Sequence, residues 1–392
     1  MTIAAAGQPE TRHQSLEPRG IPSTSIDRLV SSSARHHVPA LDGLRGIAIL
    51  LVIAHHAGIA ENGWVGVDLF FALSGFLITG ILVRAKDRPH YYRNFLARRA
   101  LRIFPVCYAY LVAVLLLEPA LHHLPLPTGQ WPVWAYLTNV AVSLHGWDSV
   151  PFPAEHLWSV AVEEQFYLLW PAVVLACSPS RLRRMCAGGI VVALALRIAL
   201  TYRDATWVAN YVLMPTRMDA LLLGAAVAIT PRLLDVRRAL WIGAIGLLAS
   251  VWILRSGGRD DAWVETLGYS AIAVTATAAI VLALGVPGFA RIVSWRPLRL
   301  AGKYSYAAYL GHRVVMDAIR SRLLLTGWPL ALAATAVTFA CAAVSWQLFE
   351  APILSLKRFF PEPDVAPPTG HLTGANGVAT SLSVTEPKGS AT

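Results

Sequence analysis

The sequence predicts an all-α, polytopic membrane bundle of about ten transmembrane helices, and three observations carry that expectation. Hydrophobic residues fill 55% of the 392 positions and charged residues only 14%, far from the balance of a soluble globular domain. Apolar stretches close to the ~20 residues needed to cross hydrocarbon recur along the chain. Lysine and arginine gather in alternate loops, as they do on the cytoplasmic side of membrane proteins.

In chain order the apolar stretches run over 44–60, 64–83, 103–119, 159–177, 186–201, 217–230, 239–254, 263–285, 304–319 and 327–349. The segment from Trp131 to Leu144 is a candidate for an additional interfacial or re-entrant helix. The loop 84–102 carries Arg84, Lys86, Arg88, Arg93, Arg98, Arg99 and Arg102, whereas 120–157 carries neither lysine nor arginine. With ten spans, Arg181, Arg183 and Arg184 fall on the side of the first basic loop. So do Arg232, Arg237 and Arg238, then Arg291, Arg296, Arg299 and Lys303, then Lys357 and Arg358. That side is cytoplasmic by the distribution of positive charge, and both termini share it.

The net charge of +10 therefore follows topology and calls for no nucleic-acid partner. Residues 1–40 are polar, lack the apolar core of a signal peptide, and are expected to be a disordered cytoplasmic N-terminal arm. Residues 41–357 form the membrane domain. The remainder, 358–392, is rich in Pro, Gly, Ser and Thr and is expected to be a disordered cytoplasmic C-terminal tail, too short and polar for a further domain. Cys107, Cys177, Cys186 and Cys341 show no CxxC pair and no metal-type spacing, so no metal site is expected. No GxxxxGK[ST] or GxGxxG sequence occurs, which removes the usual grounds for a nucleotide-driven pump or a dinucleotide enzyme.

Polar residues at membrane depth are normally there for chemistry. Arg45 and His56 lie in one apolar stretch. Eleven helical positions turn through roughly 1100°, about 20° past three revolutions, so the two share a helix face about 16 Å apart, with His55 about 80° away from Arg45. Asp68 and Ser74 follow in span two. Trp158, Ser159, Glu163 and Glu164 open span four, Arg217 and Asp219 open span six, and His312 sits within span nine. So many polar groups are expensive in lipid unless they pair or line a wet cavity. A polar chamber open to the outside is expected.

The runs LDGLRGIAILLVIAHH (41–56), GVDLFFALSGFLIT (66–79), RRALRIFP (98–105), LWSVAVEEQFYLLWP (157–171), RMDALLLGA (217–225) and YSYAAYLGH (304–312) together resemble the acyltransferase 3 family of integral membrane O-acyltransferases. The resemblance covers about 41–352. It implies transfer of an acyl group, usually acetyl from acetyl-CoA as co-substrate, to a hydroxyl of a carbohydrate, a cell-envelope glycan or a glycosylated natural product such as a macrolide. It implies His56 as the catalytic histidine, Arg45 as its partner, and the element with Arg99 and Arg102, beside Arg98, as the donor contact. Two departures stand out: Gly311 precedes His312 where an aromatic is common, and FEAPI (349–353) only approximates the usual ending.

Residue chemistry agrees with these roles. An imidazole whose ordinary pKa lies near neutrality can rest unprotonated and take a proton from an attacking hydroxyl. CoA carries phosphates, which a basic cytoplasmic loop would attract. Glu163 or Glu164 is expected to orient His56 or the acceptor, and Arg45 to stabilise the thioester oxygen or touch the pantetheine arm. Asp68, Trp158, Arg217, Asp219 and His312 are the candidate acceptor-binding residues, with a structural ion pair among Asp68, Arg217 and Asp219 as the competing reading. His122, His123, His145 and His156 are expected to be solvated or interfacial. The rival function is a proton-coupled secondary transporter, whose relay would use the same intramembrane residues. Either activity belongs in a bacterial cytoplasmic membrane.

Overall fold

The computed structural model describes residues 38–121, 130–151, 153–203, 206–230 and 235–361. Most of the expected arm and tail, together with His122 and His123, lies outside them. Among the described residues there is no strand.

Each of the ten apolar stretches falls on a helix. These are α1 (Pro39–His56), α2 (Gly66–Ala85), α3 (Tyr91–Leu121), α4 (Trp158–Ala176), α5 (Pro179–Tyr202), α6 (Met214–Ile229), α7 (Val236–Ser256), α8 (Tyr269–Gly285), α9 (Ser305–Leu323) and α10 (Gly327–Ser345). Seven helical stretches among the described residues are long and apolar enough to cross a membrane, and they contain α2, α3, α5, α6, α7, α8 and α10. The exceptions, α1, α4 and α9, carry Arg45 and His56, Glu163 and Glu164, and His312 and Arg313. They supply most of the polar residues described below.

Local sequence explains most helix boundaries. Prolines at the first turns of α1, α5 and α6 sit where a missing N–H costs nothing. Ser178 and Asp235 accept hydrogen bonds from backbone N–H groups at the starts of α5 and α7, satisfying donors that a helix end leaves orphaned. The stretch from Trp131 to Leu144 is not one re-entrant helix. Tyr136 takes a positive φ of 54°, which breaks it into Trp131–Trp134 and Thr138–His145. The second piece is tied to α4 by a reciprocal amide pair, in which Asn139 Nδ2 donates to Gln165 Oε1 at 3.1 Å and Gln165 Nε2 donates to Asn139 Oδ1 at 2.8 Å.

Close backbone approach fixes α1. A Cβ added at Gly46 would overlap the carbonyl oxygen of Leu298, so α1 lies directly on the short helix Arg296–Lys303. Small residues that let backbones touch are the usual device where lipid supplies no hydrophobic drive between helices. After α10 a π-turn, Trp346–Glu350, leads to Leu356–Phe359. That segment returns to α3, where Arg98 Nη1 donates to the Phe360 carbonyl at 2.9 Å and Asn94 Nδ2 to that of Pro361 at 3.2 Å.

Candidate active site

Two polar chambers lie one after the other along α1. The basic chamber, about 100 Å³, is lined by Arg45, Arg99 and Arg102, with Ser74, Ser159, Glu163, Tyr167, Ser305 and Tyr306. The imidazole chamber, about 410 Å³, is lined by His55, His56 and His156, by Glu155, Arg259 and Arg313, and by Trp64, Trp147, Trp158 and Tyr211. Val67 and Tyr309 line both. One helix thus delivers its arginine to one chamber and its histidine to the other, because eleven residues bring the side chains back to the same face one to two nanometres apart.

In the basic chamber, Arg45 lies 3.3 Å from Asp42 and keeps 23% of its side chain exposed. Arg99 sits over the rings of Phe95 and Tyr167 at 5.8 and 5.9 Å. Glu163 accepts a hydrogen bond from Ser74 Oγ at 2.5 Å, and Ser74 accepts one from the Tyr167 hydroxyl at 2.9 Å. Three guanidinium groups line this chamber, where Glu163 is the one carboxylate of the lining and Asp42 pairs with Arg45, a balance of charge that suits an anion.

The imidazole chamber is organised around His56. Its Nδ1 lies 2.9 Å from the Val52 carbonyl oxygen and 3.3 Å from His312 Nε2, while His312 Nδ1 lies 2.7 Å from the Tyr309 carbonyl oxygen. Carbonyl oxygens only accept, so each Nδ1 carries the proton and donates. His312 Nε2 is then an acceptor for His56, and His56 Nε2 keeps its lone pair on a ring that lines the chamber. The carboxylates expected to orient this base do not reach it: Glu163 lies in the basic chamber, and Glu164 is absent from both linings, its Oε1 buried without a hydrogen bond. His312 takes the orienting place instead.

Of the loop histidines expected to be solvated or interfacial, His145 is exposed, whereas His156 is not. It is buried at 4% exposure, its ring 5.1 Å from His312 and 5.3 Å from Tyr309. Burial, with Arg313 and His56 nearby, pushes its imidazole down to about 3, so it stays uncharged. Residues 130–151 and 153–157 pack against the bundle, through Trp147 on Tyr211 and Pro153 on Tyr110, and end in the turn Glu155–Leu157, a long-range event that local polarity did not signal. His55 also lines the chamber, with its Nδ1 engaged 2.7 Å from the Glu61 carbonyl oxygen.

Asp68, Arg217 and Asp219 are not brought to either chamber. Arg217 Nη2 meets Asp68 Oδ1 at 2.7 Å, and Arg197 Nη2 meets Asp219 Oδ2 at 2.8 Å; all four side chains are at most 2% exposed. Arg217 also lies over the rings of Tyr269 and Tyr211, at 4.2 and 5.4 Å. Arg217 thus lies against Tyr211, a residue of the chamber wall, while Arg197 lies over Tyr269. Arg98, expected beside the donor, turns instead to the carbonyl groups of the C-terminal segment. Trp158 does line the imidazole chamber.

Residue reading missed Glu155, Arg259, Arg313, Tyr211 and Tyr309. The one available signal was the spacing Tyr309, His312, Arg313, which puts three polar groups on one face of α9.

Fold and site define a class: a polytopic α-helical membrane protein with a basic chamber and a histidine chamber that share the wall residues Val67 and Tyr309. A family model described as Acyltransferase domain matches residues 38–347, and the chain belongs to that family. Peptidoglycan O-acetyltransferase OatA of Listeria monocytogenes is 30% identical over 353 residues, covering 82% of this chain and 56% of the relative. O-acetyltransferase OatA of Staphylococcus aureus is 28% identical over 360 residues, covering 83% and 58%. The chain therefore spans little more than half the length of these relatives. No solved structure matches it. The apolar helices and the bacterial relatives mark it as a multi-pass protein of the cytoplasmic membrane.

Proposed function

We propose that this protein is an O-acetyltransferase that moves an acetyl group from cytoplasmic acetyl-CoA to a hydroxyl of a carbohydrate acceptor, with His56 as general base. The observation that carries this is the pair of chambers that share Val67 and Tyr309 as wall residues, with arginines in one and the free imidazole nitrogen in the other. The names of the relatives, one of them a peptidoglycan O-acetyltransferase, favour a cell-envelope glycan over a macrolide-type product.

In this reading Arg45, Arg99 and Arg102 hold the phosphates and the polar arm of the donor, and the thioester reaches the junction. The acceptor enters the imidazole chamber. His56 Nε2 takes the hydroxyl proton as the oxygen attacks the thioester carbonyl carbon. The tetrahedral adduct expels the CoA thiolate, which takes that proton from the imidazolium. The products are the acetyl ester and free CoA, and no acyl-enzyme is formed. Arg45 acts on the donor and not on the reacting carbonyl beside His56, because about 16 Å of helix separates the two.

The same reading takes all ten long helices as crossings, with both termini on the cytoplasmic side with Arg45. Protein purified with labelled acetyl-CoA and a set of glycans should transfer label. His56→Ala should lower turnover by at least about a hundredfold, the scale of general-base catalysis, whereas His55→Ala should retain most of it. Equal loss in both variants would remove His56 from its role.

A further inference from the structure

The imidazole chamber holds a cation that the reaction above does not use. Arg259 lies in the turn between α7 and the π-turn Val264–Gly268 that opens α8, and it lines the chamber. Its guanidinium sits over Trp207 at 4.9 Å and Tyr211 at 5.7 Å. Stacking of this kind occupies the flat face of the group and, beside a contact to the Tyr211 hydroxyl, leaves edge N–H donors for another partner. The second arginine of the chamber, Arg313, has Glu155 at 3.7 Å. Arg259 forms no ion pair among the described residues. Its backbone is held in place, since the Tyr269 hydroxyl donates to the Arg259 carbonyl oxygen at 2.9 Å.

Around it stand the rings of Trp64, Trp147 and Trp158. Aromatic walls with a few fixed polar groups describe a site that binds one compact ring and orients it through a charged handle. We infer that the acceptor carries an oxyanion, a carboxylate or a phosphate, and that Arg259 grips it edge-on while the aromatic walls hold the ring and His56 meets the hydroxyl. This rests on the acceptor occupying this chamber, as in the reaction proposed above. A planar fork matches the two oxygens of such a group in a way that an ammonium cannot. The handle also selects the hydroxyl, because only one lying at the right distance from the anion reaches the imidazole.

The test is a binding measurement on the full chain in detergent, without acyl-CoA, read by tryptophan fluorescence. The probes share one ring: N-acetylglucosamine is neutral, N-acetylmuramic acid adds a carboxylate, and N-acetylglucosamine 1-phosphate adds a phosphate. At least one charged sugar should bind about tenfold or more tightly than the neutral one, and which of them does so tells carboxylate from phosphate. Arg259→Gln should abolish the preference while the thermal midpoint stays near that of the parent. Arg259→Lys, which keeps the charge and loses the fork, should weaken the charged sugar several-fold and retain part of the preference. Equal binding of all three sugars, no binding of any, or a preference that survives Arg259→Gln overturns the inference. Because no acetyl donor is present, these outcomes are independent of the transfer assay that tests the reaction.

Discussion

At the scale of single residues, the chemistry reduces to which nitrogen of His56 carries its proton. The Val52 carbonyl and His312 Nε2 both call for a proton on Nδ1, and the Tyr309 carbonyl fixes His312 in the matching tautomer. Removing His312 leaves Val52 as the remaining partner and frees the ring to turn. His312→Leu should therefore lower kcat by about tenfold to a hundredfold, the cost of a base misplaced by about an ångström, with KM for acetyl-CoA unchanged because the donor sits in the other chamber. His312→Gln, whose amide oxygen can accept where Nε2 does, should recover part of the loss, which a merely space-filling role would not produce. Steady-state kinetics on the three proteins decides it; equal losses in Leu and Gln variants would reduce His312 to packing. Arg45 and His56 were legible beforehand because an eleven-residue interval on one helix is a statement about one face. His156, Arg259 and Glu155 were not, because their places depend on loops that fold back from distant parts of the chain. The competing reading of Asp68 and Arg217 as an ion pair is the geometry observed.

At the scale of elements, the position of α1 decides whether both chambers are served at once, and that position is set by contact between backbones. Gly46 stands next to Arg45, and any side chain there meets the Leu298 carbonyl oxygen of the short helix Arg296–Lys303. Gly46→Val should displace α1, lower stability by about 1 to 3 kcal/mol or more, the usual cost of overpacking, and weaken transfer even in the protein that folds. Gly188 on α5 has nothing within 4 Å of an added Cβ, so Gly188→Ala should leave the midpoint unchanged or raise it slightly, since alanine is the better helix former. Thermal unfolding in detergent, with transfer measured on the soluble fraction, separates the two cases. If Gly46→Val matches the parent, the contact does not place α1. The helices themselves were readable as apolar stretches, with ends shifted by a few residues where proline or a cap intervened. The break at Tyr136 was not, since nothing in the apolar pattern of 131–144 marks a left-handed residue.

At the scale of the whole molecule, α1, α4 and α9 fall below the apolarity of a lipid-facing span for the same reason that they matter: they turn polar residues toward the two chambers. The outer helices α5, α7 and α10, the last of which packs on α9 and α1, show many exposed large apolar side chains, among them Val191, Ile198, Trp241, Leu248, Leu332 and Val344, and so can meet lipid on behalf of the bundle. A helix shielded in this way need not be apolar all round to cross. Ten crossings put the termini on one side of the membrane, whereas seven put them on opposite sides, so the distinction is open to measurement. With the four native cysteines replaced, single cysteines can be placed on either flank of each polar helix: Val38 and Glu61 around α1, Asp148 and Arg183 around α4, Arg299 and Thr326 around α9. A membrane-impermeant maleimide should label Glu61→Cys, Asp148→Cys and Thr326→Cys in intact cells, and Val38→Cys, Arg183→Cys and Arg299→Cys only after lysis. If the two flanks of any helix label from the same side, that helix does not cross. For α1 this would also place Arg45 and His56 on one side of the membrane, and a donor arriving from the cytoplasm could no longer meet an acceptor held at the opposite face.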